Sequence, residues 1–259
     1  MSAVDVHHAV SGPTGAPVVL LSNSLGSSLA MWEPQIADLS ARYRVVRYDL
    51  RGHGRSPVPD GPYTLPDLVA DALALLDRLD IERAHLVGLS LGGMVSLRMA
   101  ATAPERVGRM ALCCTSAYLP PASNWYGRAA TVRAHGIGAV SEAVVGRWLT
   151  PTFAAASPAL VAELRAMVEA TPDEGYASCC EAIATMDLRP WLRDIAAPTL
   201  LVAGADDPAT PVDHAMALTA ALPNARTVVV DPAAHLANVE QPTAVGQHIL
   251  GHLENGGPA

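Results

Sequence analysis

The sequence predicts an α/β protein, in which a mostly parallel, doubly wound sheet carries an inserted helical segment. Three observations predict this fold. Short apolar runs alternate with helical patterns along most of the 259 residues. The runs show little polar alternation, and one long stretch interrupts the pattern without offering a clear strand. Apolar runs of this kind are typical of strands buried on both faces of a parallel sheet.

Six short runs rich in Leu or β-branched residues are the predicted strands, at residues 18–21, 45–48, 84–87, 110–114, 199–203 and 227–230. The segment 4–10 alternates weakly and predicts an antiparallel edge strand. Helices are predicted between the strands, at residues 31–42, 66–79, 91–103, 212–222 and 242–253. Strands and helices that alternate in this way form a parallel sheet with helices on both faces.

The alternation breaks between about residues 118 and 192, where four helical patterns follow one another at 124–134, 138–148, 158–170 and 175–185. We therefore predict an α/β core made of residues 1–117 and 192–259, and a helical cap at 118–191. A cap over the carboxyl ends of the strands closes a site from above. The last residues, 254–259, are predicted to fray.

The most specific motif is G-x-S-x-G at residues 88–92, with Ser90 at its centre. A predicted strand precedes the motif and a predicted helix follows it. A sharp turn between them holds the serine in a strained backbone conformation, so only small neighbours fit, and the hydroxyl stands above the sheet. The motif alone occurs by chance, but this context predicts that Ser90 is a nucleophile.

An acid and a base follow in the order that such a serine needs. Asp207 comes three residues after Gly204, at the end of a predicted strand and directly before Pro208. His235 lies in the loop after the last predicted strand. The chain order serine, aspartate, histidine is that of α/β-hydrolases and differs from the orders in chymotrypsin and subtilisin. Asp206 stays open as an alternative acid, or as a solvated loop carboxylate.

Acyl transfer at a serine also needs hydrogen-bond donors for an oxyanion. The amide of Leu91, directly after the nucleophile, is one predicted donor. The other is expected from the loop after the first parallel strand, residues 22–28. The phase of this loop places the second donor amide on Leu25. An ordinary turn of glycine and serine is the alternative explanation of this loop.

His53 comes too early in the chain to be the base of this fold. We predict that it belongs to a loop held by Asp49, Arg51 and glycine turns. The remaining histidines are expected to be surface or packing residues. No pair of them has the spacing of metal ligands, so the sequence predicts neither a metal nor a cofactor.

Composition argues against several classes of protein. The net charge is −8, and no basic patch is evident, which argues against a nucleic-acid partner. No apolar run approaches the ~20 residues of a membrane span. No signal pattern opens the chain, so we expect a cytoplasmic protein. The four cysteines form two adjacent pairs without C-x-x-C spacing, which predicts small apolar residues in a reducing compartment instead of a zinc site.

Several segments together resemble one family of α/β-hydrolases, the 3-oxoadipate enol-lactonases. The resemblance is carried by residues 21–26, 31–35, 47–54, 88–93 and 234–242 in the core, and by 147–151, 175–176 and 187–189 in the predicted cap. The serine, histidine and Arg-Gly-His-Gly segments are shared across the superfamily, whereas Ser-Asn-Ser-Leu-Gly and the cap segments are narrower. Residues 115–121 depart from the family by being bulkier at the cap entrance.

The resemblance implies hydrolysis of an enol-lactone with a free carboxylate, giving 3-oxoadipate in the breakdown of aromatic compounds. No cofactor is implied, and the expected partner is a small lactone or ester. The oligomeric state, a homo-oligomer included, stays open. Two other functions stay open as well. One is an esterase or lactonase for another small substrate, such as one in a biosynthetic pathway, and the other is a non-catalytic ligand-binding protein on a hydrolase fold.

A substrate with a carboxylate requires a cation in the pocket. Arg128 and Arg133 on the first helix of the predicted cap are the main candidates, and Arg147 is a further one. Each is also explained as a solvated charge on a helix face. Trp125 and Trp148 are predicted to line the pocket, with packing inside the cap as the alternative.

Overall fold

A seven-stranded sheet runs through the centre of the computed structural model, which describes residues 2–254. The strands are β1 (His8–Ser11), β2 (Val18–Ser22), β3 (Arg44–Tyr48), β4 (Ala84–Leu89), β5 (Val107–Cys113), β6 (Thr199–Gly204) and β7 (Ala225–Val230). β1 pairs antiparallel with β3, and every other neighbouring pair is parallel. The prediction of a mostly parallel α/β sheet is confirmed. The predicted tail, apart from Glu254, lies outside the described residues.

The order of the strands determines where a site can form. The sheet runs β1-β3-β2-β4-β5-β6-β7, so the chain leaves β2 on one side and returns to place β4 on the other. Ser22 and Gly88 are paired at the carboxyl ends of β2 and β4. Ligands of open α/β sheets bind outside the carboxyl ends of the strands at such a switch point. The loops that follow β2 and β4 therefore meet where a site is expected.

Helices accompany the sheet along the described chain. They are α1 (Glu33–Ser40), α2 (Leu65–Arg78), α3 (Leu91–Thr102), α4 (Ala122–His135), α5 (Gly138–Val145), α6 (Pro151–Ala156), α7 (Pro158–Glu169), α8 (Asp173–Ala184), α9 (Val212–Ala221), α10 (Ala237–Glu240) and α11 (Pro242–Glu254). α2 begins where Thr64 and Asp67 cap each other's backbone amides and Pro66 lies in the first turn. Local sequence thus determines where this helix starts.

Helices α4 to α8 all lie between β5 and β6. The two ends of this insertion meet, because Leu188 N donates to Ala117 O at 2.9 Å. Next to this bond, Tyr118 and Asp187 form an isolated antiparallel bridge. Inside the insertion, α4 packs against α8 and α5 packs against α7. The insertion is therefore a helical layer that leaves the sheet and returns to it at one place.

The insertion has one helix that the sequence does not predict. The helix predicted over 138–148 ends at Val145, and α6 then begins after Thr150. The Thr150 hydroxyl accepts a hydrogen bond from Phe153 N, and Pro151 stands at the first helical position. A threonine cap followed by proline is a sequence signature of a helix start. The short alanine-rich run behind it carries too little apolar periodicity to predict a helix.

The core lies between the sheet and its helices. All six residues of β4 and of β6 are buried, as expected for central strands of a parallel sheet. The four cysteines are buried and free. Across residues 2–254, no helix has both the length and the apolar character needed to cross a bilayer.

Candidate active site

Ser90 occupies the sharp turn between β4 and α3. Its backbone has φ 55° and ψ −115°, a conformation that costs free energy for a residue with a side chain. The neighbouring glycines allow the close approach of chains at this turn. A Cβ on Gly92 would lie 2.1 Å from Ser22 O, and one on Gly88 would lie 2.4 Å from Gly92 O. The G-x-S-x-G spacing is thus what lets the chain place Ser90 here.

Neighbouring strands hold the strained turn in place. Ser90 N donates to Cys113 O at 2.9 Å, and Thr115 Oγ1 donates to Ser90 O at 2.7 Å. Met94 N also donates to Ser90 O, at 3.1 Å. Ser90 is about one-tenth exposed and lines a cavity. Thr115 is a supporting residue that the sequence reasoning missed, because it follows a different strand and belongs to no motif.

Asp207, and not Asp206, contacts His235. Asp207 Oδ2 lies 2.8 Å from His235 Nδ1, and both side chains are buried. Thr210 Oγ1 donates to the same carboxylate oxygen at 2.7 Å. The amides of Ala209 and Thr210 donate to Asp207 Oδ1, at 2.8 and 3.1 Å. Asp206 is exposed and bonds to Ala233 O through its backbone amide.

This network controls the ionisation of Asp207. Burial opposes the charged form, but the hydrogen bonds from His235 and Thr210 outweigh it and lower the pKa of Asp207 to about 2. Asp207 is therefore a carboxylate at neutral pH. A carboxylate at this position holds the imidazole with its proton on Nδ1, which leaves Nε2 free to accept a proton.

Ser90 and His235 line the same cavity. Among the described residues no hydrogen bond joins Ser90 Oγ to His235. Hydrogen bonds of this type are often long without substrate and shorten when substrate binds. The arrangement places a serine hydroxyl, an imidazole and a buried carboxylate around one small space.

The loop after β2 forms one wall of this space. Gly92 N donates to Asn23 O at 2.9 Å, and Asn23 Nδ2 donates to Tyr48 O at 2.7 Å, so the loop is tied to the start of α3 and to β3. Leu25 lines the cavity, and Leu91 directly follows Ser90. Within residues 2–254, neither the Leu25 nor the Leu91 amide donates to a protein acceptor, so both remain available to an oxyanion.

His53 supports this loop from behind. Its Nδ1 donates to Arg51 O at 3.1 Å, and its Nε2 accepts from Gly26 N at 3.0 Å. The side chain is fully buried and does not line the cavity. Burial lowers the pKa of His53 to about 4, so the ring is neutral and can accept the Gly26 hydrogen bond.

We expect acid to destabilise the protein through His53. Its folded pKa is about 4 against an ordinary value of 6.5, so between these values the unfolded chain binds a proton that the folded chain does not. The free energy of unfolding is therefore highest above pH 6.5 and falls as the pH approaches 4. This residue alone accounts for a fall of about 2 kcal/mol from pH 7 to pH 5. In His53→Gln, the amide oxygen of glutamine replaces the ring nitrogen as acceptor. We expect urea unfolding of this variant to show a fall in the free energy of unfolding that is smaller by this amount.

His85→Asn tests the same effect on stability at a second histidine that does not line the cavity. His85 lies on β4, and its Nδ1 accepts from Arg109 N at 2.9 Å. Burial lowers its pKa to about 4 as well. We expect this variant to lose a similar share of the pH dependence and to keep kcat unchanged at pH 7. Identical pH dependence of stability in the wild type and in both variants would show that these rings do not titrate as described.

The cavity above Ser90 has a volume of about 190 Å³. The core contributes Ser90, His235 and Thr210 to its wall. The helical insertion contributes aromatic and cationic side chains, namely Trp125, Arg128, Arg147, Trp148 and Tyr176. This size fits a small substrate, and the lining combines apolar surface with a few polar groups. No group of three or more His, Cys, Asp or Glu side chains that could hold a metal ion occurs in the described part of the chain.

Two arginines face this cavity without an acidic partner among residues 2–254. The Arg128 guanidinium lies 4.7 Å from the centre of the Trp125 ring. Arg147 is half-buried, and burial together with the charge of Arg128 lowers its pKa. Because cations in a small, partly desolvated space attract an anion, this end of the cavity favours a negatively charged ligand. Trp125 and Trp148 line the same cavity.

The prediction for Arg133 does not fit the structure. Its guanidinium bonds to Glu174 at 2.9 Å and to Glu181 at 2.6 Å, and it does not line the cavity. These acidic side chains lie on α8, which packs against α4. Arg133 therefore joins two helices of the insertion and has no free charge to offer a substrate.

Tyr176 is a cavity residue to which the sequence reasoning gave no role. Its side chain is buried, and its hydroxyl completes no hydrogen bond in the described structure. Burial raises the pKa of this hydroxyl, while the Arg128 guanidinium lowers it. The neutral Tyr176 hydroxyl, a hydrogen-bond donor, thus lies in the same cavity wall as Arg128 and Arg147. No sequence motif indicates this role for Tyr176.

Comparison with known proteins agrees with this architecture. The profile of the alpha/beta hydrolase fold family matches residues 17–242. The chain is 40% identical to 3-oxoadipate enol-lactonase 2 of Acinetobacter baylyi, over 93% of this chain and 90% of that protein. The enol-lactonase of Burkholderia xenovorans LB400 superposes with a TM-score of 0.94 at 40% identity, covering 97% of this chain and 98% of that one.

An esterase is also a structural neighbour. The thermophilic esterase of Thermogutta terrifontis, solved with malate bound, superposes with a TM-score of 0.92 at 29% identity. The match covers 97% of this chain and 94% of that one. The same backbone is therefore found in proteins described as a lactonase and as an esterase.

Proposed function

The chain belongs to the α/β-hydrolase fold family and is a carboxylic ester hydrolase, and we propose that it opens 3-oxoadipate enol-lactone to 3-oxoadipate. One observation carries the choice of an anionic lactone. Arg128 and Arg147 lie without acidic partners, within the described residues, in the cavity that Ser90 and His235 line. A substrate with a single ring and a short carboxylate arm suits both the size and the charge of that space.

The proposed reaction begins with Ser90. His235 takes the Ser90 proton as Ser90 Oγ attacks the lactone carbonyl, and Asp207 stabilises the resulting imidazolium. The amides of Leu25 and Leu91 receive the oxyanion of the tetrahedral intermediate. Collapse breaks the bond to the ring oxygen, and the leaving enolate takes the proton held by His235, which gives an acyl-enzyme and a neutral imidazole. The enol of the acyl-enzyme then moves its proton from oxygen to carbon and becomes a ketone. Because the ketone is a poor nucleophile, the ring does not close again.

A water molecule completes the proposed cycle. His235 accepts its proton as the water oxygen attacks the acyl-enzyme carbonyl, and the same oxyanion donors act again. His235 then returns the proton to Ser90, and the product leaves with a new carboxylate. The wall of charged and aromatic side chains above Ser90 belongs to residues 118–191, which we propose as a cap that shapes the pocket. We place this activity in the cytoplasm, in the breakdown of aromatic compounds.

A direct assay tests the substrate. Purified protein is given the enol-lactone beside neutral aryl esters and neutral lactones of similar size, and kcat/KM is measured for each. We expect the enol-lactone to be preferred over every neutral substrate. Turnover of simple esters without turnover of the enol-lactone would favour an esterase or lactonase for another substrate. Stoichiometric retention of a ligand without turnover of any substrate would favour a binding protein.

Replacing Arg128 should weaken the anionic substrate selectively. We expect Arg128→Leu to raise KM for the enol-lactone and to lower kcat/KM about ten- to a hundredfold, since a charge-assisted hydrogen bond contributes roughly 1.5–3 kcal/mol. A neutral ester of similar size should be affected much less. Steady-state kinetics with both substrates measure the difference.

Arg133→Leu is the matched control for this prediction. Arg133 lies on the same helix and carries the same charge, but it is held by Glu174 and Glu181 outside the cavity. We expect the Arg133 variant to treat the two substrates as the wild type does, with at most some loss of thermal stability. An equal effect of Arg128→Leu on anionic and neutral substrates would show that Arg128 does not bind the substrate carboxylate.

A further inference from the structure

Backbone contacts on both sides of His235 connect it to the helical insertion. Leu236 N, directly after the histidine, donates to Trp148 O at 2.8 Å. Ala234 N, directly before it, donates to Glu240 Oε2 at 2.9 Å. Glu240 in turn accepts from Thr150 N at 3.1 Å and from the Thr150 hydroxyl. The segment 147–150 of the insertion thus holds both neighbours of His235.

Glu240 suits this position because every group that faces it is a donor. Glu240 is 4% exposed, and its carboxylate accepts from two backbone amides and one hydroxyl. No cationic side chain pairs with it among residues 2–254. Burial of a carboxylate without a cation costs free energy, which these hydrogen bonds offset. A glutamine of the same shape would turn an amide nitrogen towards one of the donors and break part of the connection.

The segment that Glu240 binds also forms part of the cavity wall. Arg147 and Trp148 line the cavity, and Thr150 follows them before α6 begins. A displacement of this segment would therefore move the cavity wall and the His235 loop together. The carboxyl group of Glu240 is the side-chain connection between them, beside the backbone bond from Leu236 N to Trp148 O.

We infer that Glu240 is a positioning residue. It fixes the position of His235 relative to segment 147–150, and thereby relative to a substrate in the cavity. The inference rests on the catalytic role that the proposed function gives to His235. It does not depend on which ester or lactone is the substrate. Glu240 acts through backbone groups, so its loss should change kcat more than KM. A misplacement of about 1 Å in a reacting group can lower turnover about a hundredfold.

The test uses Glu240→Gln, Thr150→Val, the double variant and Thr150→Ser. Thr150→Val removes the hydroxyl that faces Glu240, and Thr150→Ser keeps it. For each protein we measure thermal unfolding, and kcat and KM for a neutral aryl ester and for the enol-lactone at a temperature well below unfolding. The aryl ester keeps the test readable if the enol-lactone is not the substrate. Ser90→Ala sets the background for both assays.

We expect Glu240→Gln and Thr150→Val each to lower kcat about ten- to a hundredfold with KM changed less than about threefold. The double variant should lose no more than the worse single variant, because both break one connection. Thr150→Ser should keep wild-type kcat. The same pattern is expected for both substrates.

Glu169→Gln is the control for a purely structural effect. Glu169 accepts from the Ser141 hydroxyl at 2.8 Å inside the insertion and contacts neither His235 nor its neighbours. We expect it to change stability alone. If Glu240→Gln and Thr150→Val also change only stability, with wild-type kcat below the unfolding temperature, the positioning role is wrong. If Glu240→Gln does not fold, Thr150→Val with wild-type kcat overturns the inference equally.

Discussion

Ser90→Ala is expected to lower kcat by roughly 10⁴–10⁶-fold, since loss of a serine nucleophile removes the covalent route as a whole. The fold should survive the change. Alanine occupies the same strained backbone at φ 55° without adding an atom, and the bonds from Ser90 N to Cys113 O and from Thr115 Oγ1 to Ser90 O involve no Ser90 side-chain atom. Kinetics with the enol-lactone and an aryl ester, beside thermal unfolding, measure both effects.

Ser96→Ala is the matched control for the nucleophile. Ser96 is another buried serine, inside α3, and its hydroxyl donates to Gly92 O at 2.8 Å. We expect this variant to keep most of its activity. A serine-reactive phosphonate should label wild-type protein at Ser90 alone and should leave Ser90→Ala unlabelled. Near-normal turnover in Ser90→Ala would disprove the proposed mechanism.

The position of Ser90 on a sharp strand-to-helix turn could be predicted from the sequence because that turn is local. Ser90, its glycines, the strand before it and the helix after it all fall within one short segment. The sheet was predictable for a related reason, since its buried central strands are continuous apolar runs with helices between them. The prediction of the turn at Ser90 and the prediction of the sheet both rest on local sequence and require no knowledge of contacts between distant residues.

The choice between Arg128 and Arg133 could not be made from the sequence. Both lie on α4, five residues apart, so an α-helix turns their side chains about 140° away from each other. One face must point to the cavity and the other must not, but α4 is polar on most sides and buries only Ala129 and Val132. The acidic partners of Arg133 come from α8, which is distant in sequence.

Supporting residues were missed for the same reason. Thr115 anchors Ser90 from the end of another strand, and Glu240 connects the His235 loop to Thr150 across 90 positions of the chain. Thr210 is close to Asp207 in sequence, since it follows Asp207 by three residues and its hydroxyl donates to the Asp207 carboxylate. A threonine there is also an ordinary turn residue, so its type and position alone do not predict a role.

Asp207→Asn is expected to lower kcat by about 10³–10⁴-fold, because an asparagine can no longer hold His235 in the tautomer that leaves Nε2 unprotonated. The amide of asparagine also faces the donors Thr210 Oγ1 and Ala209 N, so one of these contacts is lost. Since the pKa of Asp207 is about 2, the wild-type side chain stays ionised throughout an ordinary assay range. Asparagine carries no charge at any pH, so raising the pH is not expected to restore the lost contact with His235.

Asp206→Asn makes the comparison decisive, because it removes one charge at the adjacent position. Asp206 is exposed, and its structural contact is a backbone bond from its amide to Ala233 O, which asparagine keeps. We expect this variant to retain activity within about threefold of the wild type, as a surface substitution away from the reacting groups. The two variants have the same formal net charge, so a large gap in kcat between them must come from the contact with His235. Equal losses of kcat, or a larger loss in Asp206→Asn, would contradict the assignment of Asp207 as the catalytic acid. The 2.8 Å contact of Asp207 with His235 would then not serve catalysis.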